Sequence, residues 1–321
     1  MMRHWPACLS LSRLAPLLGL AAVYLLFASI GPPGFSSARN LETIARQTAI
    51  VGTAALGMTL VIISGGIDLS VGSIIALGTV VVAAFLQMGY SPITAAAAGI
   101  AAGALCGLLN GLLITRLRVV PFIVTLGTLL IVRGVAKGLA HEQKIDAPLT
   151  WLIDLLAALP PGLRWAIVPP GVWIMVGLAV VAALFIHLTR MGRHVVAIGS
   201  NESTARLCGV PVERVKTTVY ALSGASAGLA GVMQFSRLTV GDPTVALGLE
   251  LDVIAAVVIG GGSLSGGEGS VLGSIVGALI MTVIRSGCAQ MGLPNWVQEI
   301  VTGTIIVIAV ALDRLRHRRR Y

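Results

Sequence analysis

Apolar residues run through this chain in blocks of roughly twenty, the length that crosses the hydrocarbon core of a bilayer as one α-helix. Short breaks rich in Gly, Pro and Arg separate them. The first block is 14–30, closed by the turn Gly31-Pro32-Pro33-Gly34. Nine more read as 44–63, 70–88, 92–115, 119–139, 168–189, 217–236, 250–264, 270–284 and 297–312. The expected fold class is all-α, a polytopic membrane helical bundle of about ten spans, because backbone crossing lipid must satisfy its own hydrogen bonds. Residues 14–312 then form a single transmembrane domain, 1–13 an N-terminal segment and 313–321 a basic tail. Arg3 and Arg13 before the first block also fit a signal peptide. No small-x-small pattern followed by a soluble domain accompanies them, so the block reads as a helix that stays in place.

The most informative polar interruption is Ser64-Gly65-Gly66-Ile67-Asp68-Leu69-Ser70-Val71-Gly72-Ser73. A carboxylate between two apolar runs is costly unless partnered. The glycines predict backbone that is not unbroken helix, which is tolerated at membrane depth only where it is buried in protein or lines a cavity. Gly65, Gly66, Asp68 and Ser70 are therefore candidates for a gate or solute pathway; the competing reading makes Asp68 the cap of span three. Asn110, Thr125, Glu250 and Asp252 are further pathway candidates, each with a structural alternative. Asn110, and Thr125 with Thr128, fit helix–helix hydrogen bonds. Glu250 and Asp252 fit the N-terminus of the eighth span.

Arg133 and Lys137, one turn apart in span five, are expected to snorkel to the headgroups. Between spans five and six, 149–159 is apolar with Trp151 near its start, which suits an interfacial or re-entrant helix. An echo links Ser64-Gly65-Gly66…Gly72-Ser73-Ile74 to Ser265-Gly266-Gly267…Gly273-Ser274-Ile275. Repeats with glycine-interrupted segments at matching positions mark binding sites in transporters, although glycine-rich helices also produce such matches by chance.

Composition supports the membrane assignment. Charged residues make up 11% of the 321, against about 25% in soluble domains, and the mean hydropathy is +0.94. A net charge of +9 would suggest nucleic acid in a soluble protein. Here basic loops on the cytoplasmic face explain it, so no nucleic-acid partner is expected. With the N-terminus inside and ten spans, inside segments carry fourteen of the 22 Lys and Arg residues. They include Arg116, Arg118, those of 190–216 and the five tail arginines. Both termini are thus expected in the cytoplasm. Cys8, Cys106, Cys208 and Cys288 have no metal-like spacing and read as free thiols.

Within the basic loop 190–216, Ser200 or Asn201 suits a helix N-cap, while Gly209 and Pro211 suit a stop. This predicts a two-turn helix presenting Ala205, Leu207 and Cys208. It either docks into a partner's groove or anchors the loop on the membrane surface. Leu264-Ser265-Gly266-Gly267-Glu268 looks like the signature loop of an ATP-binding cassette ATPase. No Gly-x-x-x-x-Gly-Lys phosphate loop accompanies it, so it reads as a tight turn between spans eight and nine. The five histidines form no ligand pattern, and no nucleophile or zinc motif appears. No enzyme activity, metal or cofactor is expected.

Ser64–Ser73, Pro121–Thr128, Ala197–Val210 and Glu250–Gly261 together resemble the ribose-type sugar permeases of bacterial ATP-binding cassette importers, over about residues 40–312. The family includes permeases for several monosaccharides, with branched-chain amino-acid permeases as more distant relatives. The resemblance implies a permease working as a homodimer or heterodimer in the bacterial inner membrane, in contact with membrane lipid. It implies a periplasmic sugar-binding protein and a separate cytoplasmic ATPase. That ATPase would engage a coupling helix around Asn201, Glu202, Ala205, Arg206, Gly209 and Val210. Cys208 and Glu268 depart from the expected pattern, as does the arginine-rich tail. The competing class is a cation-coupled secondary transporter of a small polar solute with Asp68 as carrier.

Overall fold

The computed structural model describes residues 11–159 and 167–318. Twelve α-helices build these residues: α1 (Leu11–Ile30), α2 (Ala38–Ile63), α3 (Val71–Gln87), α4 (Pro92–Leu117), α5 (Pro121–Leu139), α6 (Pro170–Leu188), α7 (Arg190–Ser200), α8 (Glu202–Leu207), α9 (Val212–Leu238), α10 (Leu249–Ile259), α11 (Val271–Gln290) and α12 (Asn295–Arg318). Their starts follow local chemistry. α4, α5 and α6 begin with Pro, whose missing N–H falls where a helix has no acceptor for it anyway. Ser37 and Ser91 cap α2 and α4 through their hydroxyls.

Five helices (α2, α4, α5, α6 and α11) are long and apolar enough to cross a membrane by length and composition. Shorter apolar helical stretches lie at Ala15–Ile30, Val71–Gln87 and Asn295–Ala311. α2 and α3 are almost wholly buried, whereas α4, α5 and α6 turn Leu109, Leu130, Ile131 and Val181 outward. Such extended apolar exposure belongs against lipid or a partner, not water.

α9 lies at the centre and packs antiparallel to α4 along a seam of small residues. Gly103 meets Gly224 and Gly228, Gly107 meets Tyr220 and Gly224, and Gly111 meets Thr217. A Cβ on Gly103 would stand 2.8 Å from the Gly228 Cα, so the two backbones touch with no side chain between. α1 packs on α11 through Phe27, Ile280 and Ile284, with Phe35 from the α1–α2 turn. The first apolar block thus packs as a helix against α11.

The α9–α10 connection departs most from a simple up-and-down bundle. After Leu238, Val240–Gly241 pairs antiparallel with Ile145–Asp146 in a two-residue ladder. The chain then runs non-helically down the side of α3. The Thr79 hydroxyl donates to the Asp242 carbonyl and accepts from the Asp242 N–H, and four residues later Ala246 has reached Gly72. Only then does α10 start. Its 11 residues reach about 16 Å at 1.5 Å per residue, roughly half the hydrocarbon core. The fifteen-residue span expected at 250–264 is therefore a half-length helix fed by a non-helical segment of turns over 242–248.

Three expectations need correction. The apolar stretch 149–159, expected as an interfacial or re-entrant helix, forms only a short 3-10 helix, Trp151–Leu155. Leu152 and Leu156 are buried, and Ser236 of α9 accepts from the Leu156 N–H while donating to the Ile153 carbonyl, so the turn packs on protein. Arg133 does not snorkel: its side chain is buried and donates to the carbonyls of Pro243 (3.0 Å) and Val245 (2.7 Å). Those carbonyls sit on the turn segment before α10, where no helix satisfies them. Lys137, one turn on, is exposed as expected. The loop 190–216 carries two helices where one was expected. α7 starts at Thr189, whose hydroxyl accepts from the Gly192 N–H, and buries Val195 and Ile198.

Candidate functional site

Asp68 is the centre of a closed polar network in the turn between α2 and α3. Its side chain is wholly buried, and Oδ1 accepts from the Ser70 N–H at 3.0 Å and the Ser70 hydroxyl at 2.6 Å. Asn110, on α4, donates its amide to the same hydroxyl at 2.9 Å. The neighbouring carbonyl, Ile67 O, accepts from Thr125 on α5 at 3.2 Å and from Tyr220 on α9 at 3.4 Å. The turn is thus bonded to three further helices. The residue at the start of α3 is Ser70, whose side chain makes no cap bond; Asp68 holds the approach to it instead of capping the helix itself. Asp68 Oδ2 and Asn110 Oδ1 are buried with no hydrogen-bond partner among the described residues. Three of the predicted pathway residues, Asp68, Ser70 and Asn110, therefore form one chain of contacts, and Thr125 closes it through the backbone. Their bonds are to each other, which favours the helix-linking alternative for Asn110 and Thr125.

Glu250 and Asp252 sit elsewhere, at the start of the half-helix α10. Glu250 packs its carboxylate against Gly72, whose missing Cβ makes the room, and Oε2 is buried with no hydrogen-bond partner among the described residues. Asp252 is 1% exposed and paired with Arg285 on α11 at 2.5 Å. A buried carboxylate held by a guanidinium links α10 to α11.

Gly65 and Gly66 lie at the foot of α2, close to the second Ser-Gly-Gly turn. Gly267 N–H donates to the Ile63 carbonyl at 2.9 Å, and a Cβ on Gly266 would stand 3.0 Å from the Gly65 Cα. The sequence echo thus corresponds to two turns in contact, each joining one helix to the next. The segment 264–268 is a tight turn, as its missing phosphate loop implied, with Gly266 and Gly267 both at positive φ.

The basic loop forms the third region. Asn201 caps α8 by accepting from the Thr204 N–H at 2.9 Å. Gly209 at φ +82° ends it, with Val210 N–H bonded to Ala205 O and Gly209 N–H to Arg206 O. This is the paired 6→1 and 5→2 closure that a left-handed residue after a helix allows. Arg206 pairs with Glu213 at 2.5 Å and Glu202 at 3.4 Å, and Lys216 pairs with Glu202 at 2.6 Å. Burial raises the Glu202 carboxyl, but the bonds and charges of Lys216 and Arg206 outweigh it and hold it below the ordinary range. Leu207 is 89% exposed and Cys208 is exposed, whereas Ala205 is buried, so α8 presents two of the three residues expected of it. Among the described residues no three His, Cys, Asp or Glu side chains gather as a metal site.

Comparison with known proteins adds a family. Residues 40–310 match the family described as branched-chain amino acid transport system / permease component. The ribose import permease protein RbsC of Escherichia coli (strain K12) is 40% identical over 297 residues, 92% of each chain. RbsC of Bacillus subtilis (strain 168) is 40% identical over 305 residues, 95% of this chain and 93% of its own. The L-arabinose ABC transporter permease protein AraH of Azospirillum brasilense is 36% identical over 305 residues, 94% and 88%. No solved structure matches the chain at a significant level.

Proposed function

We infer from one premise, that the chain belongs to the branched-chain amino acid transport system / permease component family, that it is the membrane permease subunit of an ATP-driven importer carrying a monosaccharide. The observation that carries the sugar is likeness along nearly the whole length to permeases named for ribose and L-arabinose. The chain is a transport subunit and not an enzyme; ATP is hydrolysed on a separate ATPase. Partners of the general kind follow from the family: that ATPase and a substrate-binding protein.

The finer arrangement is our reading. The chain makes ten passes through the bacterial inner membrane, nine as helices and one as the half-length α10 with the segment leading into it. Both termini and the α7–α8 loop lie in the cytoplasm, and the α9–α10 entry lies on the far side. Two permease chains pair, and the outward apolar faces of α4, α5 and α6 meet lipid or the second chain. The ATPase engages α8 through Asn201, Glu202, Arg206 and the exposed Leu207, with Ala205, Gly209 and Val210 fixing its shape. The binding protein delivers sugar to the opposite face. In this scheme the chain forms and breaks no covalent bond. Nucleotide-driven movement of the ATPase displaces α8, and the spans re-aim the pathway between the two sides.

Reconstitution in proteoliposomes with the ATPase and binding protein tests the reading. Sugar uptake requiring ATP and both partners is expected. Gradient-driven uptake by this chain alone overturns it in favour of the cation-coupled transporter. Competition with ribose, L-arabinose and an amino acid then identifies the solute class.

A further inference from the structure

α8 is joined to the bundle through the last residues of α7, and the packing there is closer than side chains permit. A Cβ on Gly199 would overlap the Ile63 carbonyl oxygen and the Gly267 amide nitrogen. Gly199 therefore presses its bare Cα into the junction where the two Ser-Gly-Gly turns meet. The contact is reciprocal. A Cβ on Gly266 would stand 2.6 Å from Gly199 O and 3.0 Å from both Gly199 Cα and Gly65 Cα, and one on Gly267 would stand 3.0 Å from Ser200 Cα. Gly267 N–H donates to Ile63 O and ties the two turns together at the same point. Backbone against backbone has no rotamers to absorb a displacement, unlike side-chain packing.

Each turn leads to a different part of the molecule. The first, after Ile63, ends α2, starts α3 and continues into the Asp68–Ser70–Asn110 network, which reaches α4. The second separates α10 from α11, where Gly260 and Gly273 again place backbone on backbone. On the other side, Ser200 is followed at once by Asn201, the cap of α8.

We propose that Gly199 is a positioning residue for transport: the end of α7 and the two Ser-Gly-Gly turns form a rigid backbone joint through which displacement of α8 moves the α2–α3 and α10–α11 pairs together. This rests on the reading that the ATPase engages α8. A side chain at 199 separates the joint without touching α8, so hydrolysis and transport come apart. That split distinguishes a coupling role from a merely structural one.

The experiment compares wild type with Gly199→Ala in the reconstituted transporter. The variant is expected to assemble with its ATPase and hydrolyse ATP at the wild-type rate, while sugar moved per ATP falls about tenfold or more, the size of a typical coupling energy. An assembled variant with unchanged sugar per ATP overturns the proposal. Should Gly199→Ala fail to assemble, hydrogen exchange on the wild-type transporter decides. The Gly267 amide is expected to stay equally protected in the nucleotide-free and ATP-bound states, and loss of protection in either state overturns the rigid joint. Failure of the underlying reading looks different: the ATPase then co-purifies with a chain whose residues 202–207 are replaced by a Gly-Ser linker, which removes the premise and the proposal together.

Discussion

The hydroxyl of Ser70 stands 2.6 Å from the carboxylate of Asp68 and accepts from Asn110 on its other side, so one side chain joins the α2–α3 turn to α4. The buried Ser70 N–H and O–H both depend on Asp68 Oδ1. Leaving buried donors without an acceptor costs about 1–3 kcal/mol. Asp68→Ala is therefore expected to lower stability by about that much, whereas Asp68→Asn keeps an acceptor oxygen and stays within about 1 kcal/mol of wild type. Thermal unfolding of the purified chain in detergent distinguishes them; equal losses for Ala and Asn refute the acceptor role.

The α4–α9 seam predicts a sharp contrast between glycines. Gly103→Val or Gly107→Val forces two touching backbones apart and costs about 3 kcal/mol or more, beyond ordinary overpacking because the neighbour is main chain. A Cβ on Gly127 or Gly177 meets nothing within 4 Å. Gly127→Ala and Gly177→Ala are expected to be neutral or to gain up to about 1 kcal/mol from helix propensity. Unfolding midpoints of the four variants check the order.

Arg133 gives a third test. Its two bonds satisfy carbonyls on the turn segment before α10, and hydrogen bonds from a charged group contribute about 1.5–3 kcal/mol each. Arg133→Leu leaves both carbonyls without this donor. It is expected to destabilise the chain and to raise hydrogen exchange in 242–250, while Arg133→Lys restores part of the protection. A wild-type exchange profile in Arg133→Leu excludes the anchoring role.

At α8 the fold and the docking are separable. Exposed ion pairs such as Arg206–Glu202 are screened by water and contribute little, so Arg206→Glu is expected to leave the unfolding midpoint nearly unchanged. It reverses a charge on the proposed ATPase surface, and co-purification of the ATPase is expected to drop. Gly209→Pro, at a φ of +82° that proline cannot adopt, is expected to lose both the helix end and the ATPase. Undiminished recruitment in both variants counts against α8 as the docking helix.

Topology has a direct reporter in Cys208, exposed at the end of α8. In a chain retaining only this cysteine, a membrane-impermeant maleimide is expected to label inside-out vesicles and not intact cells. The reverse pattern places the loop on the other face.

Much of this arrangement was legible in the sequence wherever a local cause decides the outcome. Pro92 starts a helix because proline is tolerated there, and Asn201 and Gly209 bound α8 because their side chain and φ fit those positions. What stayed hidden depends on which neighbour arrives. Arg133 near a span end reads as a snorkelling cation, and nothing in its own helix announces that the chain at 243–245 will fold back against it. The half-length α10 was hidden because the apolar run continues past the helix end at Ile259 into the turn at Gly260-Gly261-Gly262, and hydropathy alone does not mark where a helix stops. α7 was missed because its 11 residues mix three cations or histidines with apolar positions. The Val195–Ile198 spacing and the Thr189 cap were its only signals.

The glycine seam also sorts the bundle into fixed and movable parts. Helices that touch main chain to main chain cannot slide without breaking the contact along its whole length, so α4 and α9 behave as one piece. α2 and α6 meet instead where Gly52 faces the Met175 thioether, a flexible side chain that slips and refits. If the molecule opens and closes, it does so at joints of that second kind, and a drug or mutation aimed at freezing it has its target there.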